Sequence, residues 1–298
     1  MEKKINEIKV IAVHDGVFHA DDLLCVALID YFGGTSHQVV RTRNPEAISK
    51  ADIACDVGLG EFDHHDKERE TYPNGVIMAG CGKVARWLAT QPEANLTEEE
   101  LELLKIKALY AVESLDNGQN PNDLPNVYPN PFTFVSAMNA LDSEGGIYSA
   151  KQTEAFMTCL AMVEKVLDRI MKAIREELRN QKLLKECISS REESAIVVMP
   201  NFIKGWQNGI IGYNKECDES RIIKLVVFPG KGQSWNLQVV PKTTSFTDRS
   251  SWVNIPEQVS EIEGFEFRHA AAFMAVFNNK DAALKAAHET LYNQFFEK

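Results

Sequence analysis

The chain has 298 residues, a formal charge of −11 and an apolar fraction of 44%, which is long enough for two ordinary domains and apolar enough for each to bury a core. The acidity excludes a protein that coats long nucleic acid through a broad cationic footprint, although a local basic pocket stays compatible with it. No stretch approaches the run of about 18 apolar residues that crosses a bilayer.

The segment from Met1 to Lys9 is charged and lacks an apolar signal core, so a cytoplasmic protein without a membrane partner is expected. The six cysteines (Cys25, Cys55, Cys81, Cys159, Cys187, Cys217) form no CxxC pair, so neither a disulfide framework nor a zinc knuckle is expected.

Along the chain, Val10 to Val13 reads as a strand, Asp21 to Tyr31 as a helix, Gln38 to Arg41 and Ile53 to Asp56 as further strands. Gly80 to Ala89 and Glu98 to Val112 read as helices, the second with Asn95 and Thr97 as candidate caps. Alternation of short β-branched runs with helical patterns predicts an α/β fold with a doubly wound parallel sheet in the first half. Gly118 to Pro131, dense in Asn, Pro and Gly, is expected to be a loop.

From Lys151 to Leu184 apolar residues recur at helical spacing (Phe156, Leu160, Val163, Leu167, Ile170, Ile174), predicting a long helix or two in succession. Its stripe can pack on its own domain or pair two copies of the chain as a homodimer. Strands are expected at Ala195 to Met199, Ile222 to Phe228, Trp235 to Pro241 and twice between Glu266 and Phe277, then a helix from Asp281 to Phe296. The expected organisation is a metal-binding catalytic domain over 1–150, a helical linker over 151–190, and a smaller mixed α/β substrate-binding domain over 191–298.

Five of the seven histidines fall within the first 65 residues, and four of these stand beside carboxylates just after expected strands. In a doubly wound sheet, the carboxyl ends of strands converge on one crevice. His14, Asp15, His19, Asp21 and Asp22 follow the first strand. Asp56 ends the third, Asp63, His64 and His65 follow the Gly58 to Gly60 turn, and Asp116 opens the Asn-rich loop. Mixed imidazole and carboxylate donors suit Mn²⁺, Zn²⁺, Co²⁺ or Fe²⁺ better than Ca²⁺, with Mg²⁺ a less natural choice. Seven candidate ligands exceed the needs of one tetrahedral ion, and Asp56 and Asp116 can bridge two ions, so two divalent metals and phosphoester hydrolysis are expected.

Asp63-His64-His65 is similar to the signature of the DHH phosphoesterase superfamily. The blocks His14-Asp15-Gly16-Val17-Phe18-His19-Ala20-Asp21-Asp22, Arg41-Thr42-Arg43, Asp56-Val57-Gly58 and Asp116-Asn117-Gly118 more narrowly resemble the melanocyte-proliferating-gene (Myg) family. The likeness continues at Trp235 to Pro241 and Phe265 to Ala270 and spans nearly the whole chain.

The resemblance implies a DHH-type catalytic domain with two metals and a second domain that grips the substrate phosphate. It would place one ion on His14, His19 and Asp56 and the other on Asp21, Asp56, His64 and Asp116, with His65 on the phosphate and Asp63 beside it in the catalytic set. His19-Ala20-Asp21 stands where many relatives have an Asp-x-Asp pair, a softer donor set that favours Mn²⁺ or Zn²⁺. Eukaryotic members are described as RNA exonucleases, which implies a short nucleic acid as substrate; a small phosphoester is the alternative.

Two places depart from the family pattern: Ala79-Gly80-Cys81-Gly82 replaces a Ser-Ser-Ala-Gly stretch, and Ala275-Val276 replaces paired glycines. For the phosphate grip the candidates are Arg268, His269 and Arg249, with Lys231 and Lys280 weaker, together with Arg41 and Arg43 from the first domain. Trp235 and Phe246 could stack a base or pack in a core.

Overall fold

The first β-branched run forms strand β1 (Val10–Val13), whose Ile11, Ala12 and Val13 are all fully buried, as befits a central strand covered on both faces. Helix α1 (Ala20–Gly33), strand β2 (Gln38–Arg41), helix α2 (Pro45–Lys50) and strand β3 (Ile53–Ala54) come after it. Both β2 and β3 pair parallel to β1, on its opposite edges, with Ala12 opposite Val40 and Ala54. Strand order therefore reverses at β1, and such a switch point opens a crevice at the carboxyl ends of the strands. The third strand is shorter than expected because Asp56 takes a left-handed backbone, φ 53°, which a strand does not accommodate.

Helix α2 was not expected from the sequence, yet it has a recognisable start: Pro45 lies in its first turn and the Asn44 side chain accepts from the Glu46 N–H. Helices α3 (Gly80–Ala89), α4 (Glu98–Leu104) and α5 (Tyr110–Asp116) come next. Thr97 caps α4, accepting from the Glu100 N–H at 3.2 Å. A π turn over Lys105–Leu109 joins α4 to α5, so the helical path continues past the expected Val112 to Asp116. A π turn shifts the helical phase of the residues beyond it, here the turn carrying Glu113 and Asp116.

Helix α6 (Phe134–Leu141) lies beyond the Asn- and Pro-rich loop. The described residues are 3–65, 69–141, 146–245, 247–248 and 250–293. This computed structural model divides into two units, Met1–Arg175 and Glu176–Lys298. The division falls inside α7 (Ala150–Ser189), one unbroken helix. Within the first unit its stripe of Phe156, Leu160, Val163, Leu167, Met171 and Ile174 is buried. Helix α1 is buried nearly all round, down to the carboxylates Asp21 and Asp22 in its first turn.

In the second unit, strand β4 (Ile196–Val198) precedes α8 (Trp206–Glu216), then come β5 (Leu225–Pro229), β6 (Trp235–Val239), β7 (Phe265–Arg268), β8 (Met274–Phe277) and α9 (Lys280–Asn293). The sheet runs β4-β5-β6-β8-β7, parallel only between β4 and β5. Alternation along β5 supplies both faces: Leu225 and Val227 pack with Ala283 and Ala286 of α9, Val226 and Phe228 with Trp206 and Ile210 of α8. Helix α8 was not expected, because Asn208, Gly209 and Gly212 are poor helix formers; burial of Trp206 and Ile210 overrides that preference.

Among the described residues no helix is long and apolar enough to cross a membrane. All six cysteines are free.

Candidate metal centre

Each strand of the first sheet hands its next residues to the same crevice. His14 leaves β1 with Nδ1 3.0 Å from the Asp15 carbonyl oxygen, which directs Nε2 inward. After β3, the chain turns through Asp56, Gly58 and Leu59, all at positive φ, and returns so that Phe62 bridges Cys55 and its carbonyl accepts from the Asp56 N–H at 3.0 Å. That closed loop sets Asp63, His64 and His65 beside Asp56. Asp116 reaches the same place as the last residue of α5.

Three groups of donor atoms result, each with its members within 4.8 Å of one another: His14, His19 and Asp56; Asp56, His64 and His65; Asp21, His64 and Asp116. Asp56 belongs to two of them and His64 to two. His64 Nε2 stands 3.0 Å from Asp56 Oδ1 and 3.0 Å from Asp116 Oδ2, and His14 Nε2 stands 3.1 Å from Asp22 Oδ2 and 3.3 Å from Asp56 Oδ2. Yet His64 Nε2, Asp56 Oδ1 and Asp22 Oδ2 are buried and make no hydrogen bond. A buried polar atom left unpaired costs about 1–3 kcal/mol. Donors that face one another without bonding fit a shared cation, and this set of imidazoles and carboxylates could hold one or more divalent ions.

The electrostatics agree with that fit. Burial works against charge on His64, but the Asp116 and Asp56 carboxylates outweigh it and lift the ring to about 11. His14 rises to about 9, burial again being overcome by Asp56 and Asp22. Burial pushes Asp22 up to about 7 against the pull of His14, and burial with the Asp56 and Asp116 charges drives Asp21 well above the carboxylate range. Asp56 is lowered instead: burial opposes its charge, and His14 and His64 prevail. Without cations, the cluster holds positive charge as protons.

The Asp21 carboxylate is gripped by the start of α3: Gly80 N–H donates to Oδ2 at 3.0 Å and Cys81 N–H to Oδ1 at 2.8 Å. A Cβ at position 80 would lie 2.7 Å from Asp21 Oδ2, so glycine is needed for this approach. The departure at Ala79-Gly80-Cys81-Gly82 thus serves a carboxylate through backbone N–H groups, and the lost hydroxyls leave that contact untouched.

His65 is different from His64. Its side chain is 58% exposed, with Nδ1 2.6 Å from Asp63 Oδ1. Asp63 lies buried behind it, also accepting from the Leu59 N–H at 2.7 Å and the His65 N–H at 3.2 Å. The structure therefore sets Asp63 as the orienter of an outward-facing imidazole. His19, also largely exposed, has Nδ1 3.6 Å from Asp116 Oδ1.

Sequence reasoning assigned no role to Asp22. Its Oδ1 accepts from the His19 and Leu23 N–H groups at 3.0 and 2.9 Å, and its other oxygen faces His14. The signal was present, since an acid three residues after the helix-entry residue is half of a capping box.

Arg41 donates from Nη2 to the Gly16 carbonyl at 2.6 Å, and its guanidinium lies 4.8 Å from the Phe156 ring centroid. It clamps the turn between His14 and His19. Arg43 Nε meets Asp15 Oδ1 at 3.3 Å.

In the second unit, Arg268 Nε donates to the Ile255 carbonyl at 2.9 Å. His269 Nδ1 accepts from the Ala271 N–H at 3.0 Å, and its ring centroid is 4.3 Å from that of Phe273. Trp235 packs against the core, its ring 5.8 Å from Lys280 Nζ. Arg249 and Phe246 lie outside the described residues.

A MYG1 protein of Schizosaccharomyces pombe is 26% identical over 96% of this chain and 98% of its own length. A MYG1 exonuclease of Mus musculus is 26% identical over 94% of this chain and 84% of its own. Among solved structures, a pGpG-specific phosphodiesterase (PggH) from Vibrio cholerae aligns over 96% of this chain and 98% of its own, with 14% identity and a TM-score of 0.30. The family model for the MYG1 exonucleases, described as an uncharacterised protein family (UPF0160), matches residues 10–291, and the chain belongs to that family.

Proposed function

We propose that this chain is a metal-dependent phosphoester hydrolase, with one ion held by His14, His19 and Asp56 and a second by Asp21, Asp56, His64 and Asp116. The observation that carries the reading is that Asp56 belongs both to the donor group of His14 and His19 and to that of His64, so two neighbouring ions would share its carboxylate, as in two-metal phosphoesterases. Imidazole donors beside the carboxylates favour Mn²⁺ over Mg²⁺. When bound, such ions lower the pKa of water and offset the charge that develops on phosphoryl oxygens.

The chain's own groups supply the rest. The exposed His65 ring, held by Asp63, is placed to donate to a phosphate oxygen from the open side of the cluster. Gly80 and Cys81 N–H groups fix Asp21. Arg268, His269 and Arg249 are the candidates for gripping the substrate's remaining phosphates, and Arg43 is a further one.

The substrate class we favour is short RNA or DNA, cut from one end. Mouse and other relatives carry the name exonuclease, and a net charge of −11 disfavours long polyanions. An end-labelled oligonucleotide incubated with Mn²⁺ should release mononucleotides progressively from one end. Internal cleavage, or no cleavage with Mn²⁺, Mg²⁺ and Co²⁺ in turn, would remove the exonuclease reading. Hydrolysis of pyrophosphate to phosphate, or of a cyclic dinucleotide to its linear form or to mononucleotides, with the oligonucleotide left intact, would replace it with a small-molecule hydrolase.

A further inference from the structure

Three successive backbone N–H groups at the start of α3 are held by carboxyl groups from other helices. Gly80 and Cys81 donate to Asp21 of α1, and Ala79 donates to Glu113 Oε1 of α5 at 3.1 Å. Helix starts need acceptors for such N–H groups, and Ala79, at the N-cap, has no side chain to offer one. The cap is supplied from a distance, by two acids that bracket the cluster.

Glu113 is wholly buried and sits three residues before Asp116 on α5. The Tyr72 hydroxyl donates to its Oε1 at 3.2 Å, and its backbone carbonyl accepts from the Asn117 N–H at 3.1 Å and from Asn117 Nδ2 at 2.9 Å. Asn117 Nδ2 also donates to the Ile77 carbonyl at 3.1 Å. Glu113 therefore ties the helix start that grips Asp21 to the helix that ends in Asp116.

Packing alone does not account for this arrangement. A buried carboxyl is costly, and Glu113 Oε2 makes no hydrogen bond. Gly82 in the first turn of α3 weakens that helix by roughly 0.5–1 kcal/mol relative to alanine. A Cβ there would stand 1.9 Å from Glu113 Oε1 and 2.6 Å from the Tyr72 hydroxyl. Both features reduce stability, and both serve the same contact.

We infer that Glu113 is a positioning residue for the metal centre, locking the start of α3 against α5 so that Asp21 and Asp116 are presented together to His64. This rests on the metal-centre reading above. Residues that orient ligands from behind change metal affinity by about 10–100-fold when altered, and Glu113 does so for two carboxylates through one N–H group and one helical turn.

The test is Mn²⁺ titration calorimetry on the full chain, beside thermal melting of the metal-free protein, for the parent, Glu113→Gln, Glu113→Ala and Gly82→Ala. Glutamine keeps an oxygen for the Ala79 N–H, so E113Q should bind Mn²⁺ within about threefold of the parent even if its melting temperature falls. E113A and G82A, which remove or displace that oxygen, should bind about 10–100-fold more weakly. Should E113A not fold, Glu113→Asp, too short to reach Ala79, carries the same expectation. Mn²⁺ affinity unchanged in E113A (or E113D) and in G82A, with only the metal-free melting temperature lowered, would reduce Glu113 to a packing role and overturn the inference. A parent that binds no Mn²⁺ overturns the metal-centre reading itself, and this inference with it.

Discussion

His64 Nε2 and Asp56 Oδ1 stand 3.0 Å apart, both buried, and neither makes a hydrogen bond. Two donors held so by the loop from Cys55 to His65 are positioned for a third party between them. Asp116 Oδ2 approaches the same nitrogen at the same distance, so three side chains converge on one point.

Asp22 should matter to the centre although it lies behind it. Asp22→Asn keeps the oxygen that accepts from the His19 and Leu23 N–H groups but turns an amide toward His14 Nε2. Mn²⁺ affinity should fall about 10–100-fold with folding retained. Calorimetry showing parental affinity would mean that Asp22 serves only to start α1.

Asp63→Ala should separate chemistry from metal content. The His65 ring loses its 2.6 Å contact and becomes free to turn, while His64 and Asp56 keep theirs. Turnover should drop by about 10²-fold with the bound metal unchanged. Loss of metal in this variant would place Asp63, or the loop it closes, within the ligand shell.

The metal-free protein should lose stability as pH rises from about 5 to 9. Glu113 is pushed to about 8 by burial, Asp22 to about 7 and His14 to about 9. Each folded value exceeds its unfolded one, so each group's contribution is complete below the unfolded pKa and disappears as pH rises through the folded pKa. A tenfold gain in proton affinity on folding corresponds to at most about 1.4 kcal/mol. Asp56, lowered in the fold, acts in the opposite sense, but its contribution is lost only as pH falls below the ordinary carboxylate value. Thermal melts of chelator-treated protein should show a falling midpoint across this window, and added Mn²⁺ should restore it most at the alkaline end, where fewer protons must leave the histidines. A rising midpoint would contradict the assigned protonation states.

Arg41 should act on stability. Arg41→Ala removes the hydrogen bond to Gly16 and the cation over Phe156, for a loss of about 1–3 kcal/mol in denaturant unfolding. Arg41→Lys should restore little of it, because an ammonium cannot reproduce the planar stack and the directed bond together. Unchanged stability with weakened substrate binding would return Arg41 to the phosphate-binding role expected from sequence.

The parallel sheet was legible because a strand with both faces buried needs an uninterrupted apolar run, which Val10 to Val13 supplies. The crowding of His14, His19, Asp56 and His64 after strands was legible for the same topological reason. The left-handed turn at Asp56 was not, since aspartate is as common in ordinary turns, and only the return of Phe62 to Cys55 shows why the chain reverses there. Glu113 carried no sign of its role in the sequence, because the groups that meet its carboxyl, Ala79, Tyr72 and Gly82, lie far back along the chain. Arg41 looked like a free cation at a strand end because its aromatic partner, Phe156, lies far along the chain.

The central claim is tested most directly by elemental analysis of freshly purified parent protein beside Asp56→Ala and His64→Ala. About two transition-metal ions per chain in the parent, and fewer in both variants, is the predicted result. No metal in the parent even after Mn²⁺ loading, with both variants indistinguishable from it, would contradict the account.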